Sequence, residues 1–218
     1  MPGKMRWTRE AAAAKHPAMT SDQPGNWDLS RRFAVRRSEV AACALLGLAV
    51  ALALMIEVPL IAAILSGYLV TVMLLITLID ARQMIIPDPL SLPAIPLGLV
   101  AAVSASPLPW PEVLLDHGLA TAAAGFFLLG VRWFYRRTRG VQGLGLGDVK
   151  LGAAAGAWIG LDHLALTCLL ATGAALAAVL LRKAFQPAGA IGMATAIPFG
   201  SFIAPAIAIM WCYRLLAG

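Results

Sequence analysis

Asp80 directly follows a twenty-residue apolar run, residues 60–79, and Asp148 directly precedes another, residues 149–161. A carboxylate at membrane depth is costly, so aspartates at such boundaries are candidates for function. Two carboxylates brought from separate helix ends to one depth are the raw material of acid–base hydrolysis, in which one acid keeps its proton while its ionised partner activates water. Each has a simpler reading as well. Asp80 is equally a water-exposed helix terminus, and Asp148 an N-cap within Gly147-Asp148-Val149, a favoured place for aspartate. The preceding residues add weight, because Gly145-Leu146-Gly147-Asp148 is a Gly-x-Gly-Asp unit whose glycines let the backbone approach a substrate closely.

The elements that must position these residues are apolar. The 218-residue chain is 60% hydrophobic and 13% charged, against the roughly 25% charged expected of a soluble domain. That composition predicts an all-α, polytopic membrane helix bundle. Runs long enough to cross hydrocarbon are expected at about seven places: residues 40–56, 60–79, 89–104, 113–131, 149–161, 164–181 and 197–213. The fifth is short and rich in Ala and Gly. Residues 1–38 form a basic tail, expected to be cytoplasmic and disordered apart from a short helix at 10–15, and residues 39–218 form the transmembrane domain. The first apolar run starts too late for a cleaved signal peptide.

Charge tests the count independently. With the tail inside and seven crossings, sixteen of the seventeen Lys and Arg residues fall on the cytoplasmic side, leaving only Arg214 outside. The net charge of +6 is concentrated in the tail, without the interleaved aromatics that stack bases, so anionic lipid rather than nucleic acid is the expected partner. Small-residue stretches such as 120–125 and 152–156 predict close helix packing. Cys43, Cys168 and Cys212 form no Cys-x-x-Cys pair, and His117 and His163 lie away from both aspartates; no metal or cofactor is expected.

Three ordered segments resemble the type IV prepilin peptidase family. Residues 79–93 begin Ile79-Asp80-Ala81-Arg82 and continue through Ile86-Pro87-Asp88, similar to that family's first aspartate segment. Gly145 to Leu151 resembles its second, and Pro198-Phe199-Gly200 its Pro-Phe-Gly element on the last helix. The resemblance implies a GxGD-type membrane aspartyl endopeptidase with Asp80 and Asp148 as the catalytic pair. Gly145, Gly147, Lys150, Arg82, Pro87, Asp88, Pro198, Phe199 and Gly200 would support them. It further implies removal of the short basic leader of a prepilin or pseudopilin at the cytoplasmic face of a bacterial inner membrane, with pilus or secretion components as further partners. The presenilin-like branch fits less well, because the chain has Ile79-Asp80 and Ala204-Pro205-Ala206 where Tyr-Asp and Pro-Ala-Leu are expected. The sequence departs from the family in two respects. It has no Cys-x-x-Cys zinc domain of the kind associated with N-methylation, so a form lacking that domain is expected, and Ser201 stands where proline is common.

Individual residues carry narrower expectations. Asp88-Pro89 reads as an N-cap followed by proline at the first helical position, with a substrate contact as the alternative. Lys150 is two residues from Asp148 and does not share its helix face, so orienting a substrate and snorkelling to phosphate both remain open. Helix dipoles place Asp80 at a negative C-terminal end and Asp148 at a positive N-terminus, about 0.3 to 1 kcal/mol each. On that argument Asp148 is the ionised base and Asp80 the protonated acid, unless the Arg82 guanidinium reaches Asp80. An ion-coupled transporter and a noncatalytic assembly subunit are the competing functions, although a transporter is expected to hold its carboxylates near the midplane.

Overall fold

The computed structural model describes residues 35–140, 144–185 and 198–217. Among these the chain is entirely helical: α1 (Arg37–Leu54), α2 (Leu60–Gln83), α3 (Asp88–Ala105), α4 (Trp110–Arg139), α5 (Leu146–Ile159), α6 (Leu161–Phe185) and α7 (Gly200–Ala217). Residues 1–34 of the expected tail, with its short helix, and the first residue of the seventh expected span lie outside the described residues; the tail's last two residues, 37 and 38, belong to α1.

Proline punctuates the entries. Pro59, Pro87 and Pro109 are the N-caps of α2, α3 and α4, where a missing N–H costs no helical bond. Gly160 alone joins α5 to α6, and its φ of +77° is a conformation that side-chain-bearing residues rarely adopt.

Six of the seven helices are long and apolar enough to cross a membrane. The exception is α5, with 14 residues, so the fifth expected crossing is present as a helix but falls short of the other six. It is enclosed by protein instead, packing against α3, α4, α6 and α7. It still carries the chain from one end of the bundle to the other. Lys150 near its start meets the start of α3, and the carbonyls of Ala157 and Trp158 near its end meet α4 and α7.

Close approach is achieved with small residues. Gly47 of α1 faces Gly67 of α2, and Gly156 of α5 lies directly on the α4 backbone at Ala120. The core contains Leu69, Met73 and Ile76 of α2, Leu151 and Trp158 of α5, and Ile207 and Trp211 of α7. Each buried indole N–H finds an acceptor: Trp158 donates to the Ala94 carbonyl at 2.7 Å and Trp211 to the Ser66 hydroxyl at 2.8 Å. The two rings meet edge to face, 5.1 Å between centroids. Outward-facing positions remain apolar, as at Leu45 and Leu48 of α1, Phe126 of α4 and Leu176 of α6. With its other face packed on α2, such an α1 has an apolar surface on both sides, as expected where the solvent is lipid.

Candidate active site

Helix α2 does not stop at Ile79. It continues through Asp80 for three more residues, so Asp80 lies in the last turn and is buried, 4% exposed. The helix ends at Met84, whose left-handed conformation (φ 54°, ψ 38°) returns its N–H to the Asp80 carbonyl at 2.8 Å. For a non-glycine residue that conformation costs on the order of 1–2 kcal/mol. It turns the chain sharply into Ile85-Ile86-Pro87, and Ile86, preceding a proline, is held extended.

Ile86 points back into the bundle. A Cβ placed on Gly147 would lie 2.7 Å from Ile86 Cβ, and one placed on Gly200 would lie 2.7 Å from Ile86 Cδ1. The side chain therefore sits between the first turns of α5 and α7, and only glycine fits at either contact. At Gly200 a Cβ would also come within 2.9 Å of Asp80 Oδ2.

The Asp80 carboxyl is anchored on the first turn of α7. Its Oδ2 accepts the Ser201 backbone N–H at 2.7 Å and the Ser201 hydroxyl at 3.0 Å. First-turn N–H groups have no partner within their own helix, so Asp80 caps α7 from a neighbouring helix. Pro198 and Phe199 supply the carbonyls that start α7, accepting from Ser201 and Ile203 respectively, and Phe199 packs against the core.

Asp148 is the third residue of α5 rather than its cap. The helix begins three residues earlier than it would with Asp148 as its cap, with Gly145 in the capping position. The Asp148 carboxylate reaches back to the Gly145 N–H at 3.1 Å. The helix-dipole argument counted one helix end per aspartate, whereas Asp80 has the N-terminus of α7 against it as well as the C-terminal turn of α2.

Charged residues around the pair are matched with one another. Lys150 donates to Asp88 at 2.6 Å, tying α5 to α3. Asp88 is the first residue of α3, with Pro87 as its N-cap and Pro89 following, so the expected Asp88 cap is shifted by one residue. The Arg82 guanidinium grips both carboxylate oxygens of Glu39 at 2.8 and 2.7 Å, joining α1 to α2. Among the described residues no group of three or more potential metal ligands occurs. His117 lies at the opposite end of the bundle.

All eleven residues singled out from the sequence thus gather at one end of the bundle, where α2 and α4 finish and α3, α5 and α7 begin. Sequence reasoning missed three neighbours: Ser201, Ile86 and Glu39. For Ser201 the signal was its place in the three-residue neighbourhood of Phe199-Gly200. Ile86 stood inside a motif read for its proline and aspartate, and Glu39 is separated from Arg82 by 43 positions.

A family model described as the type IV leader peptidase family matches residues 67–181. Among similar curated proteins, a prepilin leader peptidase/N-methyltransferase of Pseudomonas aeruginosa is 39% identical over 147 residues, covering 64% of this chain and 46% of that protein. The protein of the same name from Klebsiella pneumoniae is 40% identical over 108 residues, 49% of this chain and 45% of its own length. The one from Aeromonas hydrophila is 35% identical over 175 residues, 77% and 55%. The chain spans about half the length of the curated relatives it matches. No solved structure matches.

Proposed function

The chain belongs to the type IV leader peptidase family, and from that premise we propose that it is a membrane-embedded aspartic endopeptidase that cuts the short basic leader from prepilins or pseudopilins. The observation that carries this reading is the convergence of Asp80 and Asp148 at one end of the bundle, each beside a helix N-terminus that only glycine can occupy. A transporter's midplane carboxylates are not arranged this way.

In the proposed reaction Asp148 carries the proton and Asp80 is the base. Asp80 takes a proton from water as the oxygen bonds to the scissile carbonyl carbon, while Asp148 gives its proton to the carbonyl oxygen. When the tetrahedral species collapses, Asp80 returns its proton to the departing amide nitrogen and Asp148 recovers one from the diol, so the C–N bond breaks with net addition of one water. Asp80 meets two donors through Oδ2 and Asp148 meets one, which is why Asp80 is given the ionised role; the pH profile would carry apparent values that belong to both residues.

Substrate access runs through Ile86. A peptide lying against the first turns of α5 and α7 must occupy the space this side chain fills, so binding displaces it. The substrate's own apolar helix is held by the small-residue faces of the bundle, which puts the cut where that helix meets the headgroups. With the sixteen-to-one partition of Lys and Arg, this end faces the cytoplasm and the N-terminus is cytoplasmic, in a bacterial inner membrane. Anionic lipids and pilus or secretion components are the further partners of this reading.

Purified protein in detergent, given a full-length prepilin, is expected to release the leader. Asp80→Asn and Asp148→Asn should each lower kcat by about a thousandfold or more. Cleavage surviving either change, in protein that remains folded, would overturn the catalytic pair.

A further inference from the structure

Asp80 could have been capped by any first-turn N–H of α7. It is instead met twice by one residue, and both bonds fall on the same oxygen. Ser201 brings its backbone N–H (2.7 Å) and its hydroxyl (3.0 Å) to Oδ2, while among the described residues no hydrogen bond reaches Oδ1. The carboxyl is thereby fixed in rotation, with Oδ1 left for water and substrate.

The hydroxyl has a second acceptor. Ser201 Oγ lies 3.3 Å from the Thr77 carbonyl, one turn before Asp80 on α2. A serine hydroxyl has one proton and two lone pairs, so it has two settings. When Asp80 is ionised, the hydroxyl donates to Oδ2. When a proton resides on Oδ2, the hydroxyl turns to the Thr77 carbonyl and accepts that proton through a lone pair. The backbone N–H can only donate, so its bond to Oδ2 is stronger when the carboxyl is ionised than when it is protonated.

We propose that Ser201 is a positioning residue for the reaction, holding Asp80 in one orientation through both of its protonation states. The proposal rests on the assignment of Asp80 as a catalytic aspartate. It concerns a residue outside the segment matched by the family model, residues 67–181, and its geometry is contributed by α2 and α7 together.

Two substitutions isolate the hydroxyl: Ser201→Ala removes it and keeps the N–H, and Ser201→Thr restores it. Prepilin cleavage is followed from acid to alkaline pH, with Asp80→Asn as reference and thermal unfolding to confirm folding. Ser201→Ala is expected to lower kcat about tenfold with KM within twofold, the loss of one hydrogen bond to a charged group. Its acid limb should move to higher pH, because the ionised carboxylate has lost a donor. Ser201→Thr should recover most of the rate and the original limb. A wild-type rate and pH profile in Ser201→Ala, or a threonine variant no better than alanine, would overturn the proposal. If Asp80→Asn remains active, the catalytic pair itself fails; if Asp80→Asn is inactive and Ser201→Ala is unchanged, only the role of Ser201 fails.

Discussion

The bundle holds polar groups at both ends, and it treats them oppositely. At the end remote from the aspartates, His117 is 1% exposed, its Nδ1–H donating to the Ala157 carbonyl and its Nε2 accepting from Arg214, both at 2.9 Å. The same Arg214 nitrogen lies 3.3 Å from the Trp158 carbonyl, the guanidinium sits 5.8 Å from the Trp211 ring centre, and Asp116 accepts the Leu161 N–H. Both ring nitrogens of the histidine are satisfied. At the other end Asp80 has Oδ1 without a hydrogen bond among the described residues, and Asp148 has one bond at 3.1 Å. Helix α7 takes part in both, with Ser201 and Arg214 thirteen residues apart, about 20 Å. Among the described residues no buried side-chain nitrogen or oxygen lacks a partner, so the remote cluster is closed by protein groups, whereas the carboxylate oxygens left without protein partners are open to the surface and available to water.

The largest expected effect that separates the ends comes from pairing Asp148→Asn with His117→Phe. The first should remove about a thousandfold or more of kcat and leave thermal unfolding near the parent; the second should lower the unfolding temperature and leave kcat/KM within a few-fold. If His117→Phe abolished cleavage in folded protein, the division between the ends would collapse.

Glycine contacts sharpen the picture of the aspartate end. Gly147→Ala and Gly200→Ala should each lower kcat/KM by about 10- to 100-fold, the scale of 1–3 kcal/mol for overpacking. Adding Ile86→Ala should rescue Gly147→Ala, whose conflict is with Ile86 alone. It should rescue Gly200→Ala poorly, because the new Cβ would still crowd Asp80 Oδ2. Equal rescue of both would show that Asp80 can shift freely, against the anchoring by Ser201.

Arg214→Met leaves His117 Nε2 without its donor. A stability loss of about 1–3 kcal/mol is expected, with kcat/KM unchanged. Smallest is Lys150→Met, which breaks the Asp88 pair. With Asp88 58% exposed, the coupling in a double-mutant cycle with Asp88→Asn should be under about 1 kcal/mol and shrink with added salt.

Much of this was legible beforehand. Apolar runs and loop charge located every helix among the described residues, because lipid-facing helices must be apolar along their whole length, and the motif residues did meet at one end. The cap errors are local and share a cause. Asp88 and Asp148 were read as caps from residue preference, yet their carboxylates are engaged by Lys150 and by the Gly145 N–H, in helices whose caps are Pro87 and Gly145. The dipole argument considered each aspartate's own helix, whereas Asp80 also meets α7 at Ser201, 121 positions away. Ser201 was noted only as a departure from the family pattern, and its hydroxyl acquires meaning once Thr77 and Asp80 are placed beside it.

The brevity of α5 has a mechanical consequence. Its 14 residues rise about 21 Å, while a typical hydrocarbon slab is about 30 Å thick. The shortfall of roughly 9 Å is met inside the bundle rather than by acyl chain, because α3, α4, α6 and α7 enclose α5. On the proposed function, water would have only that shorter element to pass before reaching the aspartates, and the thickness of the surrounding bilayer would set how deep they lie. In vesicles of graded acyl length, the rate should follow bilayer thickness, fastest where the membrane is already thin.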